Sequence, residues 1–205
     1  NDEAHELFKL PEFVNKMMEN KWLGSKTGQG FYKKEGKDIL TLDLDTLEYR
    51  ANKKASFATL ELTKTIEKPI DRFKVLVTGK DKAGDFYRKN FASMFQYCSN
   101  RIPEITDAFY KIDDAMKAGF GWENGPFEIW DAIGVEKGIE LMKAEGYQPA
   151  SWVTDMLASG NTSFYSIKDG ATHFYSITNK KVEKVPGQDA FIILNNIRES
   201  KKIWN

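Results

Sequence analysis

Residues 119–134 read GFGWENGPFEIWDAIG. Gly119, Gly121, Gly125 and Gly134 share these sixteen positions with Pro126, Trp122 and Trp130. Glycines spaced this densely call for left-handed dihedrals or close backbone approach. Pro126 suits the first position of a helix, where a missing amide hydrogen costs nothing. The segments on either side, KIDDAMKAG before and VEKGIELMKAEG after, both carry helical patterns. The stretch therefore predicts an aromatic-walled helix–loop–helix corner, and with it a mainly α chain.

Upstream, Tyr87, Phe91, Met94, Cys98 and Ile102 step by three or four, which predicts a helix over 86–101 with one apolar stripe. Pro103 should start or kink a second helix, 103–118, closed by Gly119. Downstream, Val135, Ile139 and Met142 continue the pattern. From 163 to 185 apolar and polar residues alternate around turn signals at Asp169-Gly170 and Asn179-Lys180, the mark of a β-hairpin or meander. A last helix is expected over the tail, where Ile203 and Trp204 are apolar. Nearer the start, Pro11 precedes a helix over 12–20 carrying Phe13, Met17 and Met18. A glycine-rich turn, WLGSKTGQGFYKK, follows it. Ile39, Leu40, Leu42 and Leu44 then suggest two short strands or an extended linker, and 64–85 reads as a connector leading into a helix.

One repeat is visible. Phe13, Val14, Met17 and Met18 fall on Trp152, Val153, Met156 and Leu157 at a constant offset of 139. Each copy then passes through a polar turn to an aromatic pair, Phe31-Tyr32 or Phe164-Tyr165.

Composition excludes several function classes. Thirty basic and thirty acidic residues give no net charge, so no basic excess exists to neutralise a nucleic acid. One cysteine excludes a disulfide framework and suits a reducing, cytoplasmic setting. No apolar run reaches the ~20 residues of a membrane span. The acidic start, NDEAHELFKL, does not resemble a signal peptide. Both ends read as cuts from a longer polypeptide.

The candidate chemistry is sparse. Gly24-Ser25-Lys26-Thr27-Gly28-Gln29-Gly30 fails as a phosphate loop, since Gln29 stands where the second glycine is needed and no strand precedes it. It also lacks a third glycine at the dinucleotide spacing, where Lys33 stands. It reads instead as a tight turn that returns Phe31 and Tyr32 onto a helix, with Lys26 able to face an anion. Glu123, Glu128, Asp131 and the pair Asp113-Asp114 are acid–base candidates. Glu128, in the first turn after Pro126, is explained by capping, and Asp131 by a hydrogen bond from an indole or an amide. His5, His173 and Cys98 assemble neither a metal site nor a nucleophile–base pair. No catalytic residue is assigned.

The motifs taken together resemble a known family. Gly24-Ser25-Lys26-Thr27-Gly28-Gln29-Gly30-Phe31-Tyr32 resembles the G-x-K-x-G-x-G-F-Y signature that ends the C-terminal helical domain of 3-hydroxyacyl-CoA dehydrogenases. Asn100-Arg101-Ile102, then Ile112 to Gly121 (IDDAMKAGFG), then Gly125 to Gly134 (GPFEIWDAIG) resemble the body of that domain. The resemblance implies an NAD-dependent oxidoreductase of fatty-acid β-oxidation with an acyl-CoA substrate. Its helical domain would be duplicated, with Lys26 and Asn100 on the substrate side. Gly24, Gly28, Gly30, Phe31, Tyr32, Gly119, Gly121, Gly125, Pro126, Phe127, Glu128 and Asp131 would be structural. NAD would belong to a dinucleotide-binding domain preceding residue 1, with no cofactor on this segment.

The same resemblance divides the chain. Residues 1–35 would be the second half of a first helical repeat, 36–85 an extended or β connector, and 86–160 the second repeat. Residues 161–205 would be a β-hairpin and linker helix towards a following enoyl-CoA hydratase domain. A homo-oligomer is among the expected partners, whereas nucleic acid and a membrane span are not. The competing reading is a non-catalytic helical interaction or dimerisation module.

Overall fold

The structure is a computed structural model that describes Asp2, residues 4–188 and residues 192–201. The expected apolar end at Ile203 and Trp204 lies outside the described residues. The chain forms two units, Asn1–Ser56 and Phe57–Asn205.

In the first unit, α1 (Glu12–Glu19) begins after Pro11, as the sequence suggests. A 3-10 turn at Ser25–Thr27 leads to β1 (Tyr32–Glu35), β2 (Asp38–Leu42) and β3 (Tyr49–Ala51). These three form an antiparallel meander in which Tyr32 faces Thr41 and Leu42 faces Tyr49. Met17 and Leu42 are buried here, and the Trp22 and Tyr49 rings lie 5.7 Å apart.

The second unit carries the larger core. Its helices are α2 (Ala58–Thr63), α3 (Pro69–Thr78), α4 (Lys82–Asn100), α5 (Tyr110–Phe120), α6 (Pro126–Ile133), α7 (Val135–Ala144) and α8 (Ser151–Ala158). A second meander follows, β4 (Tyr165–Lys168), β5 (Ala171–Ser176) and β6 (Lys181–Lys184), and then α9 (Leu194–Lys201). Phe95, Phe109, Phe127, Trp130 and Phe164 are essentially solvent-free and pack ring against ring, with Phe95 and Trp130 4.7 Å apart and nearly parallel and Phe164 edge-on to Phe109, Phe127 and Trp130. Aromatic stacks of this kind add to the area burial of each ring. Both buried indoles have acceptors: Trp130 Nε1 donates to Val135 O and Trp152 Nε1 to Ser99 O, each at 3.0 Å.

Three expectations are corrected. The 36–85 connector is not extended throughout. It holds β2 and β3, and beyond them α2 and α3. Pro69 opens α3 at its first turn, and Leu76 and Val77 reach the core on the helical period. The expected helix 103–118 starts instead at Tyr110, and residues 101–105 form a turn. Consequently Gly119 lies inside α5, and Gly121, at φ 67°, ends it. The α4 helix also begins four residues earlier than expected. Asp81 caps it, with Oδ1 accepting from Gly84 N at 3.0 Å, and the same carboxylate takes Thr59 N and Oγ1. The buried stripe of α4 runs through Phe91, Ala92, Phe95 and Ser99, while Tyr87, Met94 and Cys98 sit at its edge.

Candidate functional site

The corner between α5 and α6 is held by carboxylates. A helix start leaves its first amides without partners, and a side chain at the preceding residue normally accepts one. Gly125 occupies that place in α6 and has no side chain to offer. The acceptor comes from α5: Asp113 Oδ1 takes Phe127 N at 2.9 Å and Oδ2 takes Glu128 N at 3.1 Å. A Cβ at Gly125 would overlap that carboxylate, so the close approach requires glycine. Glu128 Oε2 accepts from Gly125 N at 2.8 Å, and Oε1 pairs with Lys117 Nζ at 2.7 Å. These contacts join IDDAMKAGFG and GPFE into one rigid piece.

The second meander is attached to the same piece. Asp131 Oδ1 accepts from Phe164 N at 2.7 Å and its Oδ2 from Tyr165 N at 2.8 Å. Tyr165 Oη donates to Asp113 Oδ2 at 2.8 Å. Burial pushes the carboxyls of Asp113 and Asp131 up to about 7, against the lowering effect of the amides that donate to them. Burial also raises the Tyr165 phenol, with the Asp113 charge adding to it.

This geometry assigns the acid–base candidates. Asp113 is solvent-free, with both oxygens occupied by backbone amides and a phenol, so no substrate proton can reach it. Asp131 and Glu128 are likewise committed to backbone groups. Glu123 is exposed beside Trp122, at the mouth of a hollow of about 270 Å3. Cys98 is a poor nucleophile, its thiol pushed up to about 12 by burial. No group of three or more metal-ligating side chains occurs among the described residues.

Lys26 and Asn100 lie in different units. Lys26 is exposed in the 3-10 turn, and Asn100 is the half-buried last residue of α4. Next to Asn100 in sequence, the end of α4 and the face of α5 enclose a groove of about 620 Å3. Tyr97, Ile105, Ile112 and Met116 form its apolar wall, with Arg101 and Lys111 among its polar lining. The Gly24–Gly30 loop does not fit a dinucleotide. It precedes a strand rather than following one, and a Cβ at Gly30 would lie 2.8 Å from Gly24 Cα, so the loop closes on itself.

Residues 86–168 match the family described as 3-hydroxyacyl-CoA dehydrogenase, C-terminal domain. The match begins inside α4 and ends with the last residue of β4, enclosing the whole carboxylate-held corner. The chain is 43% identical over 170 residues to a probable 3-hydroxyacyl-CoA dehydrogenase of Bacillus subtilis, covering 83% of this chain and 21% of that protein. It is also 28% identical over 133 residues to a putative fatty acid oxidation complex trifunctional enzyme of Rickettsia felis, covering 63% of this chain and 17% of that protein. A protein of the same description from Rickettsia prowazekii is 26% identical over 146 residues, 69% of this chain and 19% of that protein. The chain spans about a fifth of the length of these relatives. No solved structure matches it significantly. Among the described residues no helix is long and apolar enough to cross a membrane.

Within residues 86–168, the role of Asp113 is what sequence reading missed. The signal was its place one helix ahead of α6, whose cap is glycine.

Proposed function

We propose that this chain is the C-terminal helical part of an NAD-dependent 3-hydroxyacyl-CoA dehydrogenase of fatty-acid β-oxidation. The observation that carries the reading is the 43% match, whose 170 residues exceed the length of the second unit and so extend through both units. Residues 1–35 then complete a first copy of the helical domain and 86–160 belong to a second, helical-bundle copy. Residues 161–205 lead towards a following domain. NAD and the residues that move hydride belong to a separate dinucleotide-binding domain, since the residues present here do not fit that cofactor.

The contribution of this chain is orientation. An elongated acyl-CoA lies partly against a helical wall, and positioning of this kind lowers a barrier without supplying a base. Supporting this role, the groove at the end of α4 combines an apolar wall with Arg101 and Lys111. Lys26 and Asn100 are the proposed substrate contacts. The test is oxidation of NADH with acetoacetyl-CoA, comparing this chain with a form extended at its N-terminus. Turnover only in the extended form is expected. Turnover by the 205 residues alone, or by neither form, would overturn the reading.

A further inference from the structure

The two meanders are built alike and covered differently. Shifting β1–β3 by 133 residues reproduces the register of β4–β6: Tyr32 faces Thr41 as Tyr165 faces Phe174, and Leu42 faces Tyr49 as Tyr175 faces Val182. The hydrogen bond from Leu42 N to Phe31 O recurs from Tyr175 N to Phe164 O, at 2.9 and 3.0 Å. The left-handed residues recur too, Gly36 as Asp169 and Leu47 as Lys180. The helix before each meander keeps the other offset, so Phe13 meets Phe31 as Trp152 meets Phe164.

What covers them differs. Phe164 is 1% exposed, enclosed by Phe109, Phe127 and Trp130 and tied down through Asp131. Phe31 is 49% exposed and Tyr32 61%. With Ile39 and Lys34 they border a hollow of about 620 Å3. Among the described residues, no carboxylate accepts from Phe31 N or Tyr32 N, and no group accepts from Tyr32 Oη. At the helix offset, the counterparts of Asp113 and Asp131 are not among the residues of this chain.

We infer that the Phe31–Tyr32–Ile39 face is one half of an interface. Its occupant is a helical body built like α4–α6 that presents two carboxylates, one to the amides of Phe31 and Tyr32 and one to the Tyr32 hydroxyl. The second unit shows the complement: Asp131 takes the two amides, Asp113 takes the phenol, and Phe109, Phe127 and Trp130 fill the space around the aromatic pair. The inference rests on the reading of residues 1–35 as half of a helical copy, and adds which groups meet.

Amide hydrogen exchange on the 205-residue chain and on the form extended at its N-terminus tests it. Exchange at Phe31 N and Tyr32 N should slow by at least about 100-fold in the extended form. Tyr32→Phe and Ile39→Glu should leave the unfolding midpoint of the 205-residue chain unchanged, and lower that of the extended form by roughly 5 °C or more. Equal exchange in the two forms, or variants silent in both, would overturn the inference. So would concentration-dependent association of the 205-residue chain that Ile39→Glu abolishes, because a second copy would then be the occupant. NADH turnover by the extended form is read separately. Turnover without protection sinks the interface alone, and protection without turnover sinks the dehydrogenase reading alone.

Discussion

The meander at 32–51 and the meander at 165–184 share a hydrogen-bond register, a turn pattern and a leading helix, yet one has an open aromatic face and the other a closed one. Strand pairing therefore does not decide burial here. What closes the second meander is a helical body that brings two carboxylates and three aromatic rings to its first strand. The loops differ in the same sense. The first copy reaches its aromatic pair through Gly24–Gly30, whereas the second has six fewer residues between helix and pair, and Asp131 holds the strand start instead. A covered strand can be pinned from outside, and an uncovered one must be held by its own loop.

The largest separation between the copies should come from truncating the matched aromatics. Phe164→Ala empties a solvent-free site and should cost about 3–5 kcal/mol. Phe31→Ala removes a half-exposed ring and should cost less than about 1 kcal/mol. Urea unfolding of both variants checks this, and similar losses at the two positions would show that the faces are covered alike.

The pH dependence should belong to the second copy. Asp113 and Asp131 are raised to about 7 from an ordinary 3.8. Below the ordinary value both native and unfolded chains are protonated there, and the stabilisation is complete. As pH rises from about 4 to 7 the unfolded chain releases protons that the native chain keeps, so stability falls, by up to about 1.4 kcal/mol per pH unit for each carboxyl. Denaturant midpoints measured between pH 4 and 8 should show this decline. Asp113→Asn should flatten it, whereas Thr27→Ala in the first copy should not.

Asp131→Ala tests the pin directly. Two amides at the start of β4 lose their acceptor, a loss of about 2–3 kcal/mol. Exchange at Phe164 N and Tyr165 N should rise towards that of Phe31 N and Tyr32 N. Unaltered exchange would mean that packing alone holds the strand.

How much of this could be read from the sequence depended on range. Pro126 at a helix start, Glu128 as a cap and the turn at Asp169-Gly170 are local signals, and each appears in the structure where the sequence suggested it. The offset of 139 likewise pointed to matching elements. Asp113 was different. Next to Asp114 it resembled half of an acidic pair, and only the fold brings it under the amides of Phe127 and Glu128. The α3 helix was hidden for a related reason: Val75-Leu76-Val77 reads as an apolar run, and its helical character shows only beside Ile70, Phe73 and the opening Pro69. Lys26 and Asn100 were picked out by resemblance, and the structure places them in different units.

The smallest effect expected is at Thr27, and it bears on how an uncovered meander is held. Thr27 Oγ1 accepts from Leu23 N at 3.1 Å and lies 3.0 Å from Gly24 O and 3.2 Å from Gln29 O, so one hydroxyl bridges the two ends of the loop. Those ends already touch, through Gly24 N to Gln29 O at 2.9 Å and the approach of Gly30 to Gly24. The hydroxyl is exposed, so water can replace part of what it supplies, and Thr27→Ala should cost only about 0.5–1.5 kcal/mol. The loss should fall on the first unit, as faster amide exchange at Leu23 and Gly24 with Phe164 and Tyr165 unchanged. Thr27→Ser should restore it, since the hydroxyl and not the methyl makes the bridge. If Thr27→Ala instead leaves exchange at Leu23 and Gly24 unaltered, the backbone contact between Gly24 and Gln29 holds the loop by itself.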